Sequence, residues 1–197
     1  AVPSIVVGGN ATICQSNTTY QLQATASNTS TITWTSTGSG AFDNIYNEDP
    51  IYTLSPGDVN AGSVTFTLTG TQSGCSNASD QLVLTIQKNP TANAGIAQQI
   101  CQGDSVTIPG SATNASAYNW IRSGGTGSFL NANTTNPTYN SQLTESGTIY
   151  LTMVASAIAP CSVSASSNTT ISITPRATAD AGNDAQICEG DTYQITT

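Results

Sequence analysis

Apolar and polar residues alternate along most of this 197-residue chain. In "SVTFTLTG", Val64, Phe66 and Leu68 are separated by threonines, and in "GTIYLTMVA", Ile149, Leu151 and Met153 fall at every second position. Ile32 with Trp34, Val106 with Ile108, and Leu82, Leu84 and Ile86 continue the period. Successive side chains of a strand face opposite sides of a sheet, so this pattern, rich in Thr, Val, Ile and Tyr, predicts half-buried β-strands. No stretch of ten or more residues carries a helical stripe.

The strands come in a repeated order. "TICQSNTTYQL" from Thr12 returns as "QICQGDSVTI" from Gln99 and "QICEGDTYQI" from Gln186, which sets Cys14, Cys101 and Cys188 87 residues apart both times. Trp34 returns as Trp120, Pro50-Ile51-Tyr52 as Pro137-Thr138-Tyr139, and Cys75 as Cys161. Self-similarity at a fixed period is the mark of an array. Two full units are expected, 1–90 and 91–177, with 178–197 as the N-terminal strands of a truncated third. The chain then looks like a window cut from a longer one. Short Pro-containing joints, "KNPTANAG" and "TPRATADAG", are too short to be flexible tethers.

About seven short strands per unit, punctuated by Gly, Asn, Ser and Pro, fit a β-sandwich of immunoglobulin type. The expected fold is all-β, with tandem sandwiches in an elongated rod. In unit two the strands are placed at A/A′ 92–101, B 105–110, C 116–122, E 136–142, F 147–156 and G 166–174. Trp120 on strand C, and Trp34 in unit one, are expected in the core rather than on a ligand platform.

Composition narrows the function classes. The chain has no histidine, three basic and eleven acidic residues, and only 7% charged residues against about 25% in ordinary domains. So few cations cannot build the basic stripe that phosphate backbones require, which excludes nucleic acid and disfavours acidic lipid. No apolar run reaches 18 residues, so no direct membrane insertion is expected. Net charge is −4 for unit one, 0 for unit two and −4 for the third piece, −8 in all. The repeat keeps its core and not its charges, which assigns the charges to solubility. Without histidine and without paired carboxylates in a shielded cleft, the chain is expected not to be an enzyme.

The cysteines lack a CxxC spacing and a histidine partner, so disulfides are expected rather than zinc or catalysis. Two pairings stand open. Bonds within units, Cys14–Cys75 and Cys101–Cys161, would close each unit on itself. The fold favours an inter-repeat bond, Cys14–Cys161, because the A′–B corner and the F–G hairpin lie at opposite ends of one sandwich. Strands of five or six residues put those ends about 17–20 Å apart, and a disulfide needs Cα atoms within about 7 Å.

Other candidates are local. Asp180, Asp184, Glu189 and Asp191 cluster beside a joint, where calcium rigidifies tandem β-domains through oxygen ligands, although a solvated acidic face is the simpler account. Asp43, Asn44, Asn47, Glu48 and Asp49 form a second such run. Tyr46 and Tyr150, at unmatched positions, are candidate platforms for a surface polysaccharide, whereas Tyr52 and Tyr139 recur and look architectural.

The run "TANAGIAQQICQGDSVTI … YNW … NPTYNSQ … GTIYLTMVAS … C … NTTISITP" resembles the PKD-like, immunoglobulin-like repeats of very large surface proteins in Bacteroidetes, including the adhesins of gliding motility. Ala94-Gly95, Cys101-Gln102-Gly103-Asp104, Tyr118-Asn119-Trp120, Gly147-Thr148-Ile149-Tyr150 and Cys161 carry the match. Unit one departs, with Ser16-Asn17 for Gly-Asp and Thr31-Ile32-Thr33-Trp34 on strand C. The resemblance implies a stalk segment of a filamentous adhesin on the outer surface of a Gram-negative bacterium, with neighbouring repeats of its own chain as partners. The alternative is a polysaccharide-binding module or the spacer of a secreted enzyme. "DSV" at Asp104–Val106 resembles the O-glycosylation acceptor of that lineage, which would put a sugar on Ser105.

Overall fold

The computed structural model describes residues 1–194. Its strands form two β-sandwiches in tandem, one between Ser4 and Gln87 and the other between Thr91 and Thr174. In the first, β1 (Ser4–Val7), β2 (Ala11–Cys14), β3 (Thr19–Gln21), β4 (Ala24–Ser27), β5 (Thr31–Ser36), β6 (Ala41–Phe42) and β7 (Ile51–Thr53) precede helix α1 (Pro56–Ala61). The hairpin of β8 (Ser63–Thr71) and β9 (Ala78–Gln87) closes it. The second repeats the plan with β10 (Thr91–Asn93), β11 (Gln98–Cys101), β12 (Ser105–Thr107), β13 (Ser111–Thr113), β14 (Ala115–Ser123), β15 (Ser128–Leu130) and β16 (Thr138–Asn140). Its closing hairpin is β17 (Gly147–Ala157) and β18 (Ala165–Thr174).

One face of each sandwich is a four-stranded sheet, ordered β2-β9-β8-β5 and β11-β18-β17-β14. The edge strand runs parallel to its neighbour, Cys14 beside Gln87 and Cys101 beside Thr174, while all other pairs are antiparallel. The opposite face is built from β1-β4 with β3-β7-β6, and from β10-β13 with β12-β16-β15. This is the immunoglobulin arrangement, A–B–E–D against A′–G–F–C.

The alternation explains the core. Val64, Phe66 and Leu68 of β8 and Leu82, Leu84 and Ile86 of β9 point inward onto Trp34, Tyr52 and Leu22. Ile149, Leu151, Met153, Ile171 and Ile173 do the same around Trp120 and Tyr139. Trp34 and Trp120 are 1% and 4% exposed, and each indole N–H still finds a partner, the carbonyls of Asn47 and Thr134 at 3.0 Å.

Several details differ from the sequence expectation. Strand B breaks into β12 and β13 where Pro109, which has no N–H to give a ladder, precedes Gly110. Each sandwich also has a short D strand, β6 or β15, that contributes Phe42 or Phe129 to the edge of the aromatic core. Helix α1 is too short to show a stripe, but its ends are well specified. Ser55 and Asp58 form a reciprocal capping box, Pro56 opens the first turn, and Gly62 ends the helix at φ 80°. The expected strands of a third unit are not formed in 178–194, and 195–197 lie outside the described residues. The equivalent strands of the second sandwich, β10, β11 and β12, are held by β13, β18 and β16, and no such partner strands stand beside 178–194. Two turns of the repeat survive there: Gly182 N–H donates to Asp180 Oδ1, as Gly95 does to Asn93, and Asp191 N–H donates to the Cys188 carbonyl.

Candidate functional site

The feature that most distinguishes this chain from two independent domains is the joint. β2 ends at Cys14, and the chain turns at once, Asn17 N–H donating to the Cys14 carbonyl at 2.9 Å. The β17–β18 hairpin of the second sandwich presents Cys161 from a turn in which its N–H donates to the Ile158 carbonyl at 3.0 Å. The two sulfurs are bonded, with Cα atoms 4.9 Å apart and a sequence separation of 147. Both cysteines are 6% exposed.

Only Lys88, Asn89 and Pro90 separate β9 from β10, and each of them is held. Lys88 Nζ donates to the Asn60 carbonyl of α1 at 3.1 Å. Asn89 accepts from Asn114 of the second sandwich through its carbonyl at 3.4 Å, and its Oδ1 lies 3.2 Å from Cys14 Sγ. Pro90 is buried. The linker is thus tied to both sandwiches, and the disulfide spans it.

Neither within-unit bond forms: Cys75 and Cys101 carry free, exposed thiols. The reason is topological. Cys14 lies beside Gln87 at one end of β9, and Cys75 precedes Ala78 at the other. Nine steps of about 3.3 Å separate those ends by roughly 30 Å, far beyond disulfide reach.

A second constellation was not singled out in the sequence. Tyr52 of β7 donates its hydroxyl to Asp58 Oδ2 at 3.1 Å, and Tyr139 of β16 donates to Glu145 Oε1 at 2.7 Å. The carboxylates are 1% and 4% exposed. Each is surrounded by backbone donors: Ser39 and Ser55 N–H on Asp58, and Thr126, Gly127 and Gln142 N–H on Glu145. All four residues obey the 87-residue period, Tyr52 with Tyr139 and Asp58 with Glu145. The assignment of every charge to solubility is therefore corrected at these two positions, where the charge is buried and paid for by hydrogen bonds. Glycines allow the approach. A Cβ on Gly127 would stand 2.5 Å from the Tyr139 hydroxyl, and one on Gly40 2.7 Å from Asp58 Oδ2.

Burial alone would raise both carboxyls, but the converging donors outweigh it and hold Asp58 and Glu145 below their ordinary values. Burial, and then the neighbouring carboxylate, push the Tyr52 and Tyr139 phenols up. A depressed carboxyl stabilises the fold above its unfolded value and loses that contribution as pH falls through the folded one. A raised phenol stabilises below its unfolded value and loses that contribution as pH rises. Stability of both sandwiches should accordingly fall as pH drops below the ordinary values of 3.8 and 4.5, and again above 10. Urea midpoints measured from pH 2 to 11 check this. Glu145→Gln should flatten the acid limb of the second sandwich, and an unchanged limb would refute the assignment.

The remaining candidates are not drawn together. Asp180, Asp184, Glu189 and Asp191 are exposed on the strandless stretch, with no sheet to fix them. Among the described residues no three Cys, Asp or Glu side chains are placed to hold a metal ion. Asp43 and Asp49 instead accept backbone N–H groups, Asp43 from Asn44 and Ile51, and Asp49 from Ala24. Ser105 opens β12, exposed, its hydroxyl donating to Asn140 Oδ1 at 2.7 Å. Tyr46 is 66% exposed beside a shallow cleft of about 320 Å3 formed with Thr29, Ser30, Thr31, Ile32 and Glu48. Tyr150, 61% exposed, lies on the sheet face of the other sandwich.

No family model matches the chain, and no curated protein matches it. Solved structures do. The two immunoglobulin domains IG1+IG2 of DIP-gamma align over 89% of this chain and 99% of that one, with a TM-score of 0.61 at 13% identity. Titin domains I67–I69 align at TM-score 0.53 and 14% identity, over 89% of this chain and 66% of the fragment. Sidekick-1 immunoglobulin domains 1–5 align at 0.55 and 17%, over 88% and 39%. At such identities the likeness is one of fold: tandem immunoglobulin-like sandwiches.

Proposed function

We propose that this chain is a stalk segment: two repeat units, 1–90 and 91–177, and the opening of a third, whose work is reach and stiffness. The observation that carries it is the joint, where a three-residue linker is held to both sandwiches and bridged by Cys14–Cys161. A hinge built for motion would need a longer and freer connection. The oxidised pair supports a location outside the cytoplasm, where disulfides persist. With the adhesin-like motifs, it supports the outer surface of a Gram-negative bacterium and a part in adhesion or gliding. Neighbouring repeats are the partners, with no catalytic centre and no bound cofactor, and Ser105 is offered as an O-glycosylation site on its exposed strand end.

Small-angle scattering tests the stiffness. The oxidised chain should fit one inter-unit arrangement, and reduction of the disulfide should require a broadened ensemble. A broad ensemble already present in the oxidised chain would overturn the stalk. A polysaccharide-binding role has one observation in its favour, the cleft beside Tyr46. Dose-dependent glycan-array binding that vanishes with Tyr46→Ala would install that reading instead.

A further inference from the structure

The second sandwich carries the same joint surface as the first, with the Arg176 side chain on its Gln102–Asp104 turn and no hairpin against it. Cys101 ends β11 as Cys14 ends β2, in the same parallel register. Asp104 N–H donates to the Cys101 carbonyl at 3.1 Å, as Asn17 does to Cys14, and Gln102 N–H donates to Thr174 as Gln15 does to Gln87. The difference is cover. Cys161 Sγ lies 3.3 Å from the Gln87 carbonyl, whereas the equivalent Thr174 lines an open cleft of about 740 Å3 with Gln99, Ile100, Cys101 and Asp104.

The complementary half is present at the other end of the chain. Cys75 N–H donates to the Gln72 carbonyl at 3.0 Å, the turn that holds Cys161, and a serine follows in both hairpins. Cys75 is exposed. Cys188 is also free, and its turn is preserved, but it has no parallel strand beside it and so no surface to receive a hairpin.

We propose that the Cys101 end is a docking surface for the F–G hairpin cysteine of another immunoglobulin-like unit, and that in a solution of this chain the Cys75 hairpin of a second copy fills it, head to tail. The inference rests on the stapled-stalk reading. Each thiol gives up one proton and one electron; a small-molecule disulfide such as oxidised glutathione accepts them, its S–S bond breaking to two thiols as the Cys75–Cys101 bond forms. Within a chain the hairpin is present at an effective concentration of about 1 mM, so the test is run near that concentration.

The full chain is equilibrated in oxidised and reduced glutathione, and its disulfides are mapped without reduction after digestion by a protease that does not depend on Lys or Arg. Cys75–Cys101 should dominate the intermolecular bonds, and Cys188→Ser should leave its yield unchanged. Cys75→Ser alone and Cys101→Ser alone should each give at least about tenfold fewer covalent dimers, and an equimolar mixture of the two should restore them. All three thiols are exposed, so serine there leaves the cores intact. Random pairing among Cys75, Cys101 and Cys188, or glutathione-capped monomers only, with Cys14–Cys161 intact, overturns this proposal and leaves the stalk standing. A map without Cys14–Cys161 overturns both.

Discussion

Glu145→Ala is expected to destabilise the second sandwich by about 3–5 kcal/mol and to leave the first unchanged. Removal of the carboxylate strands the Tyr139 hydroxyl and the N–H groups of Thr126, Gly127 and Gln142 without their acceptor. A buried donor left unpaired costs about 1–3 kcal/mol, and water entering the emptied space recovers part of that. The total is comparable with the whole stability of a small domain, about 5–15 kcal/mol. Tyr139→Phe removes one donor and should cost only about 1 kcal/mol. Asp58→Ala should repeat the large loss in the first sandwich. Hydrogen exchange resolved by peptide separates the two units: faster exchange in β17 and β18 with unchanged β8 and β9 is the expected result for Glu145→Ala. A loss under about 1 kcal/mol would mean that the donors find other partners.

That corner also shows what the sequence could and could not disclose. Alternation located β8, β9, β17 and β18, because long strands with one buried face repeat the signal three or four times. β6 and β15 are two and three residues long, and one half-buried phenylalanine apiece makes no period. The recurrence of Tyr52 as Tyr139 was plain, and an acid follows six residues later in both copies. Yet the acid changes from Asp to Glu, and its donors come from a loop 19 residues upstream, Ser39 to Asp58 and Thr126 to Glu145. A count of charges per unit hides a carboxylate whose environment is assembled by long-range contacts. The cysteines behaved differently. Their spacing leaves the pairing open, and only strand direction, with β2 parallel to β9, places Cys14 and Cys75 at opposite ends.

Trypsin should fail to separate the two sandwiches until the disulfide is reduced. The chain has three cleavage sites, Lys88, Arg122 and Arg176. Arg176 lies beyond β18 next to the strandless stretch, held by an exposed ion pair with Asp104 and exposed hydrogen bonds to Gln102, and should be cut first. Arg122 is within β14, opposite Leu151 of β17, and should resist. Lys88 is in the joint, and cleavage there requires the linker to peel away from both Asn60 and Asn114 while Cys14–Cys161 holds the sandwiches together. In Cys14→Ser/Cys161→Ser the same opening no longer works against a covalent bond. Cleavage after Lys88 should then be faster by at least about tenfold, equivalent to about 1.4 kcal/mol of local opening free energy. The products should also part without reductant, whereas the nicked wild-type chain should run as one species until its disulfide is broken. Equal cleavage rates in the two proteins would show that the noncovalent contacts alone keep the joint closed, and that the disulfide adds permanence to it rather than stiffness.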